Sequence, residues 1–342
     1  MKILSPIAGT RALIINRATV YHIMWLLLLG VAAALIFLYR WNRQKQTLEN
    51  LTNKYVLITG CDSGFGNLAA KQLDARGLKV LAACLTEKGA EELKKETSSR
   101  LKTVIVDVSD SESVSKAAEW ASQIVGNAGL WGLVNNAGIG LPVGPNAWMK
   151  KEHFVKVIDI NLLGTVDVTL KLLPLIRKAK GRIVNVASIM GRISLLGGGY
   201  CLSKYGVEAF SDSLRRELSC FGIKVSIIEP GGFNTSIINA NACKKSIEQL
   251  WDNLPAETKE SYGEQYLHET LQKIEELIKA NSPKLYRVTN CMEHALTACH
   301  PWTRYSPGWD AKLFYLPLSY LPTFLADYVA SRLAPSPPKG AA

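Results

Sequence analysis

The sequence lacks the cysteine spacing from which disulfide scaffolds and zinc sites are built. Its seven cysteines are an odd number, and no two of them form a Cys-x-x-Cys pair. Disulfide-rich domains and structural zinc sites both need thiols paired at characteristic spacings. We therefore expect reduced thiols in the core or in loops, and no metal centre.

The long middle part of the chain has little excess of basic residues, although a nucleic-acid-binding surface would need one. The formal net charge is +11, but residues 1–53 hold six basic side chains against Glu49, and residues 311–342 hold three against Asp327. The long middle of the chain is only weakly basic, which argues against a surface that follows a phosphate backbone. The excess lies beside apolar segments, so lipid headgroups are the expected partners and nucleic acid is not.

Charged residues make up only 20% of the chain, whereas apolar residues make up 48%. This composition excludes wholesale disorder and provides enough apolar surface for a buried core. A length of 342 residues suits one large α/β domain with an appendage. The oligomeric state stays open, a homo-oligomer included.

A run of twenty residues from Val20 to Tyr39 contains no Lys, Arg, Asp or Glu. As a helix it would rise about 30 Å, the thickness of a bilayer's hydrocarbon core. We predict a transmembrane anchor at 20–41, after a basic segment at 1–19 and before a polar linker at 42–53. A cleaved signal peptide and a buried core helix are the alternatives. Three basic residues precede the run and three follow it closely, so its orientation is undecided.

Nearly continuous apolar runs alternate with helix-length segments in the rest of the chain. Such runs are typical of parallel strands that are covered on both faces. The repeated βαβ pattern predicts an α/β fold with a doubly wound parallel sheet of the Rossmann type, in a catalytic domain at 54–312. The predicted strands are 55–59, 79–83, 103–106, 132–135, 182–186 and 224–228.

Two further segments follow the last predicted strand. Residues 236–280 are charged and amphipathic, and we interpret them as a helical lid over the substrate, with a plain structural helix pair as the alternative. Residues 313–342 are apolar but contain Pro317 and Pro322, which break a second membrane span. We expect this C-terminal segment to associate with the membrane or to line the substrate entrance.

A glycine-rich turn follows the first predicted strand. Gly60, Gly64 and Gly66 would allow a tight turn, so that amides at the next helix's N-terminus can hold a pyrophosphate. The acidic ribose ligand expected after the second strand is missing, and Glu87 is only a substitute. No Lys or Arg lies in either turn to neutralise a 2'-phosphate, so NAD is favoured over NADP, with Lys88 as the residue that could reverse this.

Tyr200 and Lys204 are spaced to share one face of a helix. A free tyrosine has a pKa near 10 and is a poor base at neutral pH. An ammonium about 4 Å away would stabilise the phenolate by roughly 4 kcal/mol at an effective dielectric near 20. We therefore predict that Lys204 lowers the pKa of Tyr200 towards the working pH.

Other signals accompany this pair in a fixed order, and together they resemble the short-chain dehydrogenase/reductase family over about residues 54–310. They are the TGxxxGxG turn at 59–66, Asp107-Val108, the NNAG run at 135–138, Asn161, Ser188 and Pro230-Gly231. Within the family the chain is most similar to the microsomal retinol dehydrogenases and the related 3α/17β-hydroxysteroid dehydrogenases. The stretches that carry this similarity are 58–66, 130–134, 199–204, 210–217 and, above all, 303–312.

The resemblance implies a role for each matched catalytic residue. Tyr200 would take the alcohol proton, Ser188 would hydrogen-bond the substrate oxygen, and Lys204 would lower the pKa of Tyr200 and hold the nicotinamide ribose. Asn161 would support a water-mediated proton path. Ala187 precedes Ser188 where the family more often has a second serine, which leaves Ser188 as the candidate.

The resemblance also implies the cofactor contacts. The pyrophosphate side would be lined by the turn, the adenine would meet Asp107 and Val108, and the NNAG run would lie beside the adjacent ribose. The nicotinamide end would meet the segment from Pro230 to Thr235. The predicted contacts are Gly60, Ser63, Gly64, Phe65, Gly66, Asp107, Val108, Asn135, Asn136, Ala137, Gly138, Tyr200, Lys204, Pro230, Gly231 and Thr235.

The leading hypothesis is an NAD-dependent oxidation of a lipophilic alcohol, a retinol or a hydroxysteroid, at the endoplasmic reticulum membrane. A small hydroxy acid is the alternative substrate, although 233–242 offers no obvious arginine for a carboxylate. A catalytically silent nucleotide-binding or scaffold protein on a membrane is the alternative of another class. All of Ser188, Tyr200 and Lys204 are present, which disfavours it.

Overall fold

The computed structural model describes residues 17–235, 237 and 239–341, and it divides the chain after Thr47 into two compact units. The first described element is helix α1, Arg17–Lys45. Within the described residues, its part from Tyr21 to Lys45 is the one helix long and apolar enough to cross a membrane. Its large apolar side chains are exposed, from Tyr21 to Trp41. Residues 1–16 of the predicted basic segment lie outside the described residues.

The second unit is built on a parallel sheet. Its seven strands within the described residues have the order β3-β2-β1-β4-β5-β6-β7. The strands are β1 Tyr55–Thr59, β2 Lys79–Cys84, β3 Lys102–Ile105, β4 Gly132–Asn135, β5 Arg182–Val186, β6 Lys224–Ile228 and β7 Arg304–Tyr305. The strand order reverses between β1 and β4, which are parallel, and ligands bind at this point in sheets of this topology.

Helices cover both faces of the sheet, as the continuous apolar strands predict. Alternate residues of β1 enter separate cores, with Val56 and Ile58 on one face and Leu57 on the other. The first core includes side chains of α2 Gly64–Ala75, α3 Glu87–Lys95 and, near the C-terminal end of the unit, α11 Tyr286–Thr297. The second core includes side chains of α4 Ser111–Val125, α6 Gly164–Ala179 and α7 Gly199–Leu218. The doubly wound fold is confirmed.

A short π-helical turn, Asp159–Leu163, joins α5 Lys151–Ile158 to α6. Such turns interrupt the regular hydrogen-bond ladder and occur frequently at functional sites. Asn161 lies in this turn and is buried. The predicted catalytic asparagine therefore occupies a break in the helix rather than a regular turn.

Three helices occupy the predicted lid region: α8 Ala240–Asp252, α9 Ala256–Tyr262 and α10 Glu264–Lys279. Ile247, Leu250 and Trp251 of α8 pack on Trp148 in a core separate from those of the sheet. The rings of Trp148 and Trp251 lie 5.1 Å apart. This separate core gives the three helices an apolar base of their own.

The C-terminal segment continues through a π-helical turn, Ala311–Tyr315, and the short helix α12 Leu316–Leu318 to α13 Thr323–Leu333. Its large apolar side chains are unusually exposed, with Leu313 at 70%, Tyr320 at 71% and Phe324 at 71%. Contiguous exposed apolar surface of this kind marks sites of protein or membrane interaction.

Candidate active site

The glycine-rich turn lies directly against the end of β4. Gly60 has φ +70°, and a Cβ there would lie 2.8 Å from the Cα of Ala137. A Cβ on Gly66 would lie 2.2 Å from the carbonyl oxygen of Gly60. Asn136 fastens the turn, because its Nδ2 donates to the carbonyl oxygen of Thr59 at 2.9 Å. Side chains are therefore excluded from this cradle by backbone contact on two sides.

The glycine-rich turn leads directly into helix α2, whose second residue, Phe65, lines a cleft. Gly64, with φ +62°, begins that helix, and the ring of Phe65 meets the ring of Phe233 edge-on at 5.8 Å. Residues 63–66 thus lie at a helix N-terminus, where amide groups and the helix dipole favour a phosphate. The bare backbone of the cradle and this N-terminus fit the pyrophosphate of a dinucleotide.

The residues predicted to contact the adenosine part of the cofactor differ in their exposure: Asp107 is exposed, whereas Val108 and Asn135 are buried. Asp107 is exposed, and its Oδ1 accepts from the backbone N and the hydroxyl of Ser109 at 2.9 and 2.6 Å. Val108 is buried. Asn135 points into the core, where its Nδ2 donates to Thr169 and Asn185, each at 2.8 Å. Because both amide hydrogens of Asn135 are used there, a ribose contact would have to come from its other atoms.

Ser188, Tyr200 and Lys204 converge on the same cleft. Ser188 follows β5, whereas Tyr200 and Lys204 lie on the first turns of α7 and share one face of it. Lys204 Nζ donates to the carbonyl oxygen of Val186 at 2.9 Å, which ties α7 to the end of β5. The cleft is lined by Phe65, Asn136, Gly138, Ile139, Val186, Ala187, Ser188, Tyr200, Lys204, Pro230, Gly231, Phe233, Thr235 and Ile237.

Burial dominates the protonation of the two central groups. It raises the pKa of Tyr200, while a hydrogen bond with Ser188 acts in the opposite direction. Burial also lowers the pKa of Lys204 to about 8, against the charge of Glu208. The predicted lowering of the Tyr200 pKa by Lys204 was wrong, because loss of solvent around the phenol has the larger effect.

Asn161 holds the loop that follows β4, beside Lys204. Its Oδ1 accepts from the backbone N of Ile139 at 2.8 Å, and its Nδ2 donates to the Ile139 carbonyl oxygen at 2.9 Å. The same Nδ2 donates to the hydroxyl of Ser203 at 3.0 Å. A Cβ on Gly138 would lie 3.0 Å from Asn161 Oδ1 and 3.8 Å from Lys204 Nζ. Asn161 therefore fixes the backbone of 138–139 beside the ammonium.

A larger cavity of about 620 Å³ adjoins this cleft. Its volume is within the range of small-molecule sites. Helix α10 contributes one wall and residues 330–335 contribute another, both mainly through apolar side chains. Among the described residues, four line both the cleft and the cavity: Ser188, Tyr200, Gly231 and Ile237.

Sequence reasoning missed three acidic or basic side chains that shape the site. Asp310 Oδ2 accepts from the backbone N of Gly232 at 2.7 Å, and a Cβ on Gly231 would lie 2.2 Å from that oxygen. Arg304 of β7 pairs with Glu229 at 2.7 Å and with Glu208, one turn beyond Lys204. The stretch 303–312 was singled out by resemblance, but nothing in its spacing indicated these contacts. Asp62 is the third, and its carboxylate accepts from the backbone N of Leu85 and of Thr86.

The chain is similar in sequence and in fold to known short-chain dehydrogenases. The family described as short chain dehydrogenase matches residues 54–245. Retinol dehydrogenase 7 of Rattus norvegicus is 61% identical over 90% of this chain and 96% of its own length. The 17-beta-hydroxysteroid dehydrogenase type 6 of Homo sapiens is 54% identical over 92% of this chain and 99% of its own length. A short-chain dehydrogenase structure from Streptomyces avermitilis shares the fold, with a TM-score of 0.62, 24% identity and coverage of 82% of this chain and 95% of the other.

Proposed function

Because this chain belongs to the short-chain dehydrogenase family and is an oxidoreductase, we propose that it oxidises a lipophilic alcohol with NAD as the hydride acceptor. The proposed substrates are retinols and 3α- or 17β-hydroxysteroids, and the products are the aldehyde or ketone. The relatives named above, a retinol dehydrogenase and a hydroxysteroid dehydrogenase, support both classes.

One observation carries the proposal. Ser188 and Tyr200 line both the glycine-side cleft and the apolar cavity, so a substrate hydroxyl in the cavity could reach both side chains. Leu195, Ile274 and Leu277 are among the apolar residues that surround the rest of such a substrate. An apolar wall of this kind suits a lipophilic body and offers little to a small hydroxy acid.

The protein groups would divide the chemistry between them. Ser188 would hold the substrate oxygen, and Tyr200 would accept the hydroxyl proton as the carbon loses hydride. Bound NAD supplies the hydride acceptor. The ammonium of Lys204, whose pKa is about 8, would be charged at neutral pH and would favour the phenolate. Asn161 would hold 138–139 in position for a proton path to solvent.

The same proposal assigns the cofactor to the predicted contacts. The cradle of Gly60, Gly64 and Gly66 supports the pyrophosphate site by its steric exclusion of side chains. Lys204 would reach the nicotinamide ribose, and Pro230, Gly231 and Thr235 would line the nicotinamide end, since they lie in the same cleft. Asp107 and Val108 would meet the adenine.

We propose that the protein is held at the endoplasmic reticulum membrane by a single anchor at 20–41. The length, apolar composition and exposure of Tyr21–Lys45 support this. The exposed apolar side chains of 313–342 support a second, peripheral contact with lipid. Because residues 330–335 also line the cavity, a lipid-soluble substrate would enter from the membrane side, beneath the lid at 236–280.

Turnover in liposomes with a panel of retinols, 3α- and 17β-hydroxysteroids and small hydroxy acids would test the proposal. We expect NAD-dependent oxidation of at least one lipophilic alcohol and none of the hydroxy acids. Turnover confined to hydroxy acids would overturn the substrate assignment. Tighter binding of NADP than of NAD in a direct titration would overturn the cofactor assignment.

A further inference from the structure

The turn after β2 has no acidic side chain of its own at the strand end, yet a carboxylate reaches it from elsewhere. Asp62 Oδ2 accepts from the backbone N of Leu85 at 2.7 Å. Its Oδ1 accepts from the backbone N of Thr86 at 2.9 Å and from the Thr86 hydroxyl at 2.7 Å. Asp62 belongs to the glycine-rich turn, so this carboxylate joins that turn to the turn after β2.

The carboxylate lies on the N-terminus of α3. Thr86 caps that helix by accepting from the backbone N of Gly89 at 3.1 Å. A Cβ on Gly89 would lie 2.5 Å from Asp62 Oδ1, so only a glycine leaves room for the carboxylate there. Amides at a helix N-terminus are a ready anion site. Here an internal anion already occupies the amides of Leu85 and Thr86.

The position of this carboxylate relates directly to the adenosine ribose. In sheets of this topology, the residue after the second strand meets the ribose 2'-hydroxyl or accommodates a 2'-phosphate. A 2'-phosphate would approach the amides that Asp62 already uses, and like charges at short range repel. A 2'-hydroxyl carries no such charge and can donate to a carboxylate.

Asp62 is held by hydrogen bonds and, among the described residues, not by an ion pair. Lys88 is 85% exposed, and its Nζ lies 3.9 Å from Glu92 on the same helix. Within the described part of the chain, no ion pair involves Asp62. Neighbouring thiols respond to its charge: burial and then Asp62 raise the pKa of Cys84 to about 12. The site thus offers negative charge where a 2'-phosphate would need positive charge.

We propose that Asp62 is the residue that restricts the ribose site to a 2'-hydroxyl and so selects NAD over NADP. A residue of the glycine-rich turn thereby does what an acid after the second strand does elsewhere. This inference rests on the proposed function, because it assumes that the cleft holds a nicotinamide dinucleotide.

Direct binding of two probes to the full-length protein in detergent tests it: ADP-ribose and 2'-phospho-ADP-ribose, neither of which can react. The wild-type chain should prefer ADP-ribose. Asp62→Asn removes the charge, and Asp62→Ala also frees the amides of Leu85 and Thr86. In both variants we expect the preference to fall at least tenfold, with the phosphorylated probe binding more tightly to Asp62→Ala than to the wild type.

Glu92→Gln is the matched control, since it removes one negative charge from α3 at an exposed position. It should keep the preference within about twofold of the wild type. An unchanged preference in both Asp62 variants, with unfolding temperatures near that of the wild type, would overturn the inference and leave the proposed function standing. Should one variant fail to fold, the other decides. Failure of the wild-type chain to bind either probe would instead count against the proposed cofactor and, with it, this inference.

Discussion

Lys204 Nζ lies 5.7 Å from the centre of the Tyr200 ring and donates its hydrogen bond to the carbonyl oxygen of Val186. The ammonium is thus held by the sheet and not by the phenol. Its position is fixed independently of the protonation of Tyr200. We therefore expect different effects from the two substitutions. Replacing Tyr200 should lower turnover, whereas replacing Lys204 should change both turnover and the stability of the fold.

Tyr200→Phe should lower turnover at least a hundredfold, because the phenylalanine ring cannot accept the alcohol proton. Binding of NAD should stay nearly intact, since the ring volume is conserved. Turnover and nucleotide titration in detergent measure the two effects. Tyr205→Phe is the control, because Tyr205 lies on the same helix and is 43% exposed. Unchanged turnover in Tyr200→Phe would remove this residue from its assigned role.

Lys204→Met should change the pH dependence of stability. The folded-state pKa of Lys204, about 8, lies below the value of about 10.4 for an unfolded chain. Between these values the unfolded state binds the proton and the folded state does not, so the wild-type chain gains stability as pH rises from 8 to 10.4. The full shift corresponds to about 3 kcal/mol.

Lys204→Met lacks this gain, so its stability relative to the wild type should decline over the same interval. Thermal unfolding at several pH values would measure it. Lys88→Met, at a position 85% exposed, should keep a constant difference from the wild type. If the stability difference between Lys204→Met and the wild type also stayed constant with pH, the lowered pKa of Lys204 in the folded state would be contradicted.

Arg304→Ala should destabilise the fold by about 3 to 5 kcal/mol, because it leaves the buried carboxylate of Glu208 without its counter-ion and leaves Glu229 with Arg192 alone. Burial, and then the charge of Glu229, already raise the pKa of Glu208 to about 7. Loss of Arg304 should raise this pKa further. Since a raised folded-state pKa costs stability as pH rises, the loss should be larger at pH 8 than at pH 6.

Arg216→Ala provides the comparison for Arg304. Its guanidinium is 68% exposed and lies 3.9 Å from Asp212, so its removal should cost less than about 1 kcal/mol. Urea unfolding of both variants at the two pH values gives the differences. Equal losses in the two variants would contradict the buried character of the Arg304 contacts.

Ile274→Trp should narrow the cavity that we assign to the lipophilic substrate. Ile274 lines it from α10, whereas Gln272 of the same helix is exposed. We expect kcat/KM for a steroid or retinol to fall at least tenfold and kcat/KM for a small secondary alcohol to stay within about twofold, because only the larger substrate needs the lost volume. Gln272→Trp should leave both values unchanged. Equal losses for both alcohols would place the substrate elsewhere.

The sheet was predictable from the sequence because each of its first six strands is a local apolar run. Strand β7 was not, because Arg304–Tyr305 is two residues long and half charged, and it is a strand only through pairing with β6. Helix-period spacing was enough to bring Tyr200 and Lys204 to one face. It could not give the pKa of Tyr200, because burial depends on the strands and loops packed around α7.

Asp62 shows the same limit at the cofactor site. Its sequence neighbours are glycine-turn residues, and its three hydrogen bonds go to residues 23 and 24 positions later. The absence of an acid after β2 was visible in the sequence, but the carboxylate that reaches this turn from Asp62 was not. Which loop supplies a charge is decided by how two loops meet in the folded chain.

Arg304 is separated by 96 residues from Glu208 and by 75 from Glu229. A ribosome adds about 5 to 20 residues per second, so both carboxylates emerge roughly 4 to 20 seconds before the guanidinium that neutralises them. During that interval Arg192 is already present to pair with Glu229, whereas Glu208 has no ion-pair partner among the described residues until Arg304 emerges. The ion pairs of Arg304 that flank the candidate active site are therefore completed only when about the last tenth of the polypeptide is being translated.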